Sequence, residues 1–171
     1  YEHAAHQLVD GTAQDTVIHS YADGLNITFA AVVAQAIDRP APTTSGMNYA
    51  YDQTDDDGIE WVYSCATVKG REGVDRFTVG KQAFSAELQF LLADVSGTDD
   101  CLFGFRKVEA LNATVDNYDE MAALNVISGN INIETILNNA ATTTTDTTHD
   151  WADGEVHSLK VSVSKAGAVT Y

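Results

Sequence analysis

The chain has 171 residues, 44% hydrophobic and 20% charged: one domain's length, with enough apolar matter to bury about two thirds of the surface an unfolded chain would expose. Nine Lys and Arg stand against 25 Asp and Glu, a formal net charge of -16 that repels phosphate backbones and argues against direct nucleic-acid binding. The longest apolar run, ITFAAVVAQAI at 27–37, is too short to span a bilayer, so no membrane partner is expected.

In chain order, residues 1–20, with His3 and His6, are expected to form an extended arm. GLNITFAAVVAQAI satisfies two periods: Leu25, Phe29, Val32, Val33, Ala36 and Ile37 share a helical face, while Leu25, Ile27, Phe29, Ala31 and Val33 alternate as in a strand. A short helix near 25–37 and a strand therefore both stand as expectations, with Pro40 and Pro42 ending the element in either case. GMNYAYDQ and GIEWVYSCATV are expected strands around the acidic turn TDDDG.

From Phe84 onward the period is two. Phe84, Ala86, Leu88, Phe90 and Leu92 share one face of a half-buried strand, with Ser85, Glu87 and Gln89 opposite. The turn-rich DVSGTDD leads to a second strand in CLFGFRKVEAL, where Gly104 marks a bulge or a close approach. MAALNVI and INIETIL flank the short turn SGN, and Gly129 supplies a residue able to take positive φ. The Thr tract at 142–148 is expected to be an exposed loop. VHSLKVSV is a further alternating strand, and SKAG turns the chain into AVTY. Short strands separated by polar turns predict an all-β antiparallel β-sandwich or barrel, a single domain over 1–171.

Chemistry is less legible. The acidic loops suggest a hard cation such as calcium, with Asp55, Asp57, Asp94 and Asp99 as candidate ligands beside Asp56 and Asp100. They do not make an EF-hand: with Gly58 at the sixth position, Ser64 stands where the bidentate Glu belongs. Ordinary turn chemistry accounts for the same residues. The nearest approach to a catalytic carboxylate strand is Asp116-Asn117-Tyr118-Asp119-Glu120, with Tyr118 where an E-x-D-x-E strand holds its central Asp. There is no G-x-S-x-G elbow, phosphate loop or H-E-x-x-H pair, and the expectation is a protein that is not an enzyme. His157 is read as a half-buried strand residue. Cys65 and Cys101 are too few to frame a chain this long; one disulfide and two buried thiols both remain open. Trp61 sits in an apolar run and is read as core, whereas Trp151, in a polar loop, is the better sugar-stacking candidate.

FSAELQFLLADVSGTDDCLFGFRKVEA, NYDEMAALNVISGNINIETILN and the stretch TTTTDTTHDWADGEVHSLKVSVSKAGAVTY resemble concanavalin A-like (laminin G/lectin-type) jelly-roll sandwiches found among structural proteins of tailed marine bacteriophages. DGEVHSLKVSV is similar to the D-G-x-W-H-x-[LV] strand opening of laminin G-like domains, with Val156 in place of the Trp. The resemblance runs from about residue 77 onward. It implies a jelly roll whose last hairpin continues into further strands, so the sheet edge at 168–171 is expected to be covered by more chain or by a neighbour. It also implies a virion structural protein, a capsid decoration or cement protein on the outer surface of the particle. Its expected partners are capsid or other virion proteins, in a homo-oligomer or lattice. The alternative is an extracellular or virion-borne glycan-binding module, with Trp151, Asp99 and Asp153 between the 94–100 and 142–154 loops. A glycoside hydrolase ranks third.

Overall fold

A computed structural model of the chain divides into two compact units, Tyr1–Arg76 and Phe77–Tyr171. The structure describes residues 77–107, 109, 112 and 114–171 in full, together with the backbone of five strands in the first unit.

Those five are β1 (Val17–His19), β2 (Leu25–Ala31), β3 (Ala41–Thr43), β4 (Gly46–Asn48) and β5 (Asp57–Tyr63). β2 is the centre of a three-stranded antiparallel sheet, paired with β1 through Ile18 opposite Ile27 and with β5 through Ile27 opposite Trp61. The helix expected near 25–37 is overturned over 25–31, where the strand period wins; residues 32–37 lie outside the described residues. β5 gives β2 ladder partners along its whole length and β1 adds them on the other side at Asn26, Ile27 and Thr28, and Ile27 and Thr28 are β-branched residues that favour strands. The expected arm over 1–20 does not extend through Val17–His19, which are laddered onto β2. Pro42 lies within β3, opposite Met47. A two-stranded sheet consists of edges, so the N–H that Pro lacks need not face a partner.

The second unit holds two antiparallel sheets. β6 (Phe84–Leu91), β11 (Val156–Val163) and β12 (Val169–Thr170) make the smaller, in the order β12-β11-β6. β7 (Leu102–Arg106), β8 (Met121–Ile127), β9 (Asn130–Ile136) and β10 (Thr143–Asp150) make the larger, in the order β10-β9-β8-β7. The sole helical element among the described residues is a 3-10 turn at Val115–Asn117.

The sheets face each other across one apolar core. Leu124, Val126 and Ile131 of the larger sheet meet Leu159 and Val161 of the smaller, with Val95 and Trp151 at one end and Phe90, Phe103 and Phe105 around the margin. At the other end Phe77, Phe84 and Phe105 form an aromatic cluster, with Phe84 and Phe105 edge-on at 5.0 Å between centroids. The alternation read for 84–92 holds: Phe84, Ala86, Leu88 and Phe90 pair with Val163, Val161, Leu159 and His157 on the core side, although Leu88 stays exposed at the margin.

Two glycines explain local geometry. Ser128 and Gly129 both take positive φ, 46° and 84°, the backbone of a two-residue hairpin turn whose twist matches its strands. Gly104 is a close approach and not a bulge, since β7 and β8 stay in register throughout. A Cβ there would overlap the Ala122 carbonyl oxygen and stand 2.6 Å from Ala123 Cα.

The loop expected at 142–148 is overturned. Thr143–Asp150 is the edge strand β10, largely exposed along its length, with a register shift between Asp146 and His149. β-branched Thr favours a pleated edge, and a polar composition does not distinguish a loop from a strand that buries neither face. Within the bulge the Asp146 carboxylate accepts the Thr148 N–H at 2.7 Å and the Thr147 hydroxyl donates to the Ile131 carbonyl at 2.5 Å, so the irregular backbone is held by its own side chains.

Candidate functional site

Of the two loops expected to form a sugar site, 94–100 meets only the 151–154 part of 142–154, beside the 128–129 turn, and backbone bonds stitch these segments together. The Trp151 N–H donates to the Gly129 carbonyl at 2.7 Å, Gly154 N–H to the Leu92 carbonyl at 2.8 Å, and Ser128 N–H to the Thr98 carbonyl at 2.9 Å. The sequence 94–100 favours this because Asp, Ser and Thr satisfy their own turn. The Asp94 carboxylate accepts from the Ser96 N–H at 2.9 Å and its hydroxyl at 2.6 Å, and the Thr98 hydroxyl donates to the Val95 carbonyl at 2.8 Å. The two Ser96 bonds, the hydroxyl's foremost, hold the Asp94 carboxyl below its ordinary value.

Trp151 is the main correction. Only 2% of it is exposed, its ring lies against Phe90 at 4.7 Å and against the His157 ring at 4.5 Å, and its Nε1–H donates to the Glu155 carbonyl at 3.0 Å. A sugar ring needs an open aromatic face, and this indole presents none. Its polar neighbours in sequence suggested a binding loop, but a Trp with one local acceptor for its N–H is well suited to burial. It anchors the corner between β10 and β11.

Asp153 is exposed and its Oδ1 accepts the Val95 N–H at 2.8 Å, tying the 151–155 turn to the 94–100 loop. Asp99 is half-buried within that loop. His157 is half-buried, as the alternation indicated, and its Nε2 lies 3.1 Å from Glu155 Oε2. The bond to His157, then that from the Ala152 N–H, holds the Glu155 carboxyl below its ordinary value. Of the remaining cation candidates, Asp57 opens β5 opposite Ala31, and Asp55 lies outside the described residues. Among the described residues no three His, Cys, Asp or Glu side chains converge as metal ligands.

The Asp116–Glu120 segment does not form the catalytic strand considered for it. Asp116 and Asn117 are in the 3-10 turn, Tyr118 is buried under the Arg106 guanidinium at 4.7 Å, and Asp119 pairs with Lys107 at 2.6 Å. Tyr118 packs with Met121, Ala123 and Ile136 into a second, smaller core on the outward face of the larger sheet. Its aromatic ring was the available sign: a Tyr three residues before an apolar strand is packing material.

Sequence reasoning missed a polar cluster on that same outward face. Asn125 of β8 is fully buried: its amide nitrogen donates to Asp100 Oδ1 at 2.5 Å and its carbonyl accepts the Cys101 N–H at 2.9 Å. Glu134 of β9 is 5% exposed and accepts, at 3.4 Å, from the Thr144 hydroxyl of β10. Burial raises its pKa first, and the Asp100 and Asp116 carboxylates raise it further against the lowering effect of the Asn125 and Thr144 side chains. Cys101 carries a free thiol that burial, then Asp100, pushes up to about 11, while Cys65 lies outside the described residues. The signal for Glu134 was present as a polar residue between Ile133 and Ile136, but alternation alone assigns such a residue to solvent.

No family model, curated protein or solved structure matches the chain.

Proposed function

We propose that the chain is a non-enzymatic virion structural protein, a capsid decoration or cement protein of a bacteriophage, built on a concanavalin A-like jelly roll. The observation that carries this reading is the commitment of Trp151 to the corner where the 94–100, 128–129 and 151–155 loops are bonded together. The indole, the Asp94 and Asp153 carboxylates and the Glu155–His157 pair all direct polar atoms to holding loops. A corner braced in this way suits a module that works by shape and contact. The formal charge of -16 suits the outside of a particle, away from packaged nucleic acid. Repeated copies on a lattice would let each contact be modest. Calcium is no part of this proposal.

Purified protein should cosediment with particles of the encoding phage at a saturating, fixed ratio and raise their resistance to heat; absence of saturable binding would oppose the reading.

The second reading is glycan recognition, for which the convergence of the 94–100 and 151–155 loops speaks, with Asp99 and Asp153 retained and Trp151 removed from the contact surface. Saturable binding on a glycan array, lost in Asp99→Ala, would favour it over the first.

A further inference from the structure

We propose that β6 is a homodimerisation edge: a second copy of the chain lays its own β6 antiparallel against this one across a two-fold axis at Leu88. The sheet β12-β11-β6 then continues into the partner's β6-β11-β12.

The two sheets of the second unit end in four edge strands, and three of them carry a feature that discourages further pairing. β10 is polar and broken by a register shift between Asp146 and His149, β7 is five residues long and ends in Arg106 with Lys107 after it, and β12 has two residues. β6 has none of these. Its eight residues pair one for one with β11 without a shift, and they include no Pro, Lys or Arg. Among the described residues no strand pairs with its other side. In an antiparallel ladder every second residue turns both its N–H and its C=O away from the neighbour, so β6 offers such groups along that open side. Its apolar row is open there as well: Leu88 is 47% exposed, although Leu159, opposite it on β11, is 5% exposed. The one charge on β6, Glu87, is held back over β11 by the Ser158 hydroxyl at 3.0 Å and by Lys160 at 3.5 Å.

A second copy is the occupant because the strand complements itself in one register. Residues opposite each other must share a face, so the two-fold axis has to pass through a residue and its own copy. An axis at Glu87 sets two carboxylates against each other, and one at Gln89 sets Glu87 against Leu91. An axis at Leu88 avoids both. Leu88 then meets the partner's Leu88, Ala86 the partner's Phe90, Glu87 the partner's Gln89 and Ser85 the partner's Leu91. The two Glu87 side chains stand on the diagonal, about 7–8 Å apart at the backbone, each with its own Lys160. A single strand pair is a small interface, so monomer and dimer should exchange with concentration. The dimer goes beyond the capsid reading and does not depend on it.

The test is sedimentation equilibrium of the full chain over a concentration series. Gln89→Glu sets a carboxylate opposite the partner's Glu87 and should weaken the dimer by about threefold or more, whereas Gln89→Lys should tighten it by about as much. Asp150→Asn, with the same change in net charge as Gln89→Lys, should leave the dissociation constant unchanged. Leu88→Lys sets two ammonium groups on the axis and should abolish the dimer, while Leu137→Lys, at a more exposed leucine, should not. Amide exchange of the parent supplies a readout that needs no variant: protection should rise with protein concentration at alternate residues of β6 and not in β10. A chain that stays monomeric up to about 1 mM, a dimer indifferent to both Gln89 charges, or protection in β6 independent of concentration would each overturn the proposal.

Discussion

Asp153 Oδ1 accepts the backbone N–H of Val95 at 2.8 Å, joining residues 58 positions apart. It closes the loop end of the second unit beside the buried Trp151 and beneath the Gly154–Leu92 backbone bond. Asp153→Ala should cost about 1 kcal/mol in chemical denaturation, the usual net worth of such a bond, and should raise amide exchange at Val95 and Thr98 more than elsewhere. Unchanged exchange there would show that the carboxylate does not hold the loop.

Trp151→Ala removes a side chain packed against Phe90 and His157 and should destabilise the second unit by about 3–5 kcal/mol. Trp151→Phe keeps most of the packing and loses the bond to the Glu155 carbonyl, for an expected loss of about 1–2 kcal/mol. Denaturant titration distinguishes the two. A Trp151→Ala protein as stable as the parent would mean the indole is on the surface after all.

Gly104→Ala should cost about 1–3 kcal/mol, because the added methyl meets the Ala122 and Ala123 backbone and no side-chain rotation relieves it. The measurement is a shift in denaturation midpoint, with loss of protection concentrated in β7.

With its thiol raised to about 11, Cys101 should alkylate at pH 8 on the order of a hundredfold more slowly than a free cysteine, and at an ordinary rate once unfolded. A Cys65→Ser background isolates it. Rapid labelling of the native protein would contradict the buried setting found for it.

Asp94 and Glu155 respond to acid in the opposite sense to Glu134. Both carboxyls are held below their ordinary values of 3.8 and 4.5, so their contributions are present above those values and lost as pH falls through the lower folded ones. Stability from these two groups should therefore fall in acid, with the Ser96 and Ala152 amides, bonded to these carboxylates, among the first to lose protection.

Strands that alternate were legible from sequence: 84–91, 121–127, 130–136 and 156–163 all follow the apolar period of two or its interruption at a short turn. The turn at 128–130 was legible through Gly129, a residue able to take positive φ, whereas the positive φ of Ser128 was not. β10 was not, because an edge strand exposed on both faces has no apolar face to show. Trp151 and Glu134 failed for a shared reason, in opposite directions. The sequence neighbours of Trp151 are polar while its spatial neighbours are Phe90 and His157, and Glu134 looks like solvent-facing charge until Thr144 closes over it. Such contacts are made across strands, where local pattern carries no information.

The most direct test of the proposed role is quantitative mass spectrometry of purified particles of the phage that encodes the chain. The structural reading predicts this protein at a fixed ratio to the major capsid protein, retained through gradient purification and accessible to surface proteolysis. Its absence from purified particles, or a trace amount that washes away, would contradict that reading.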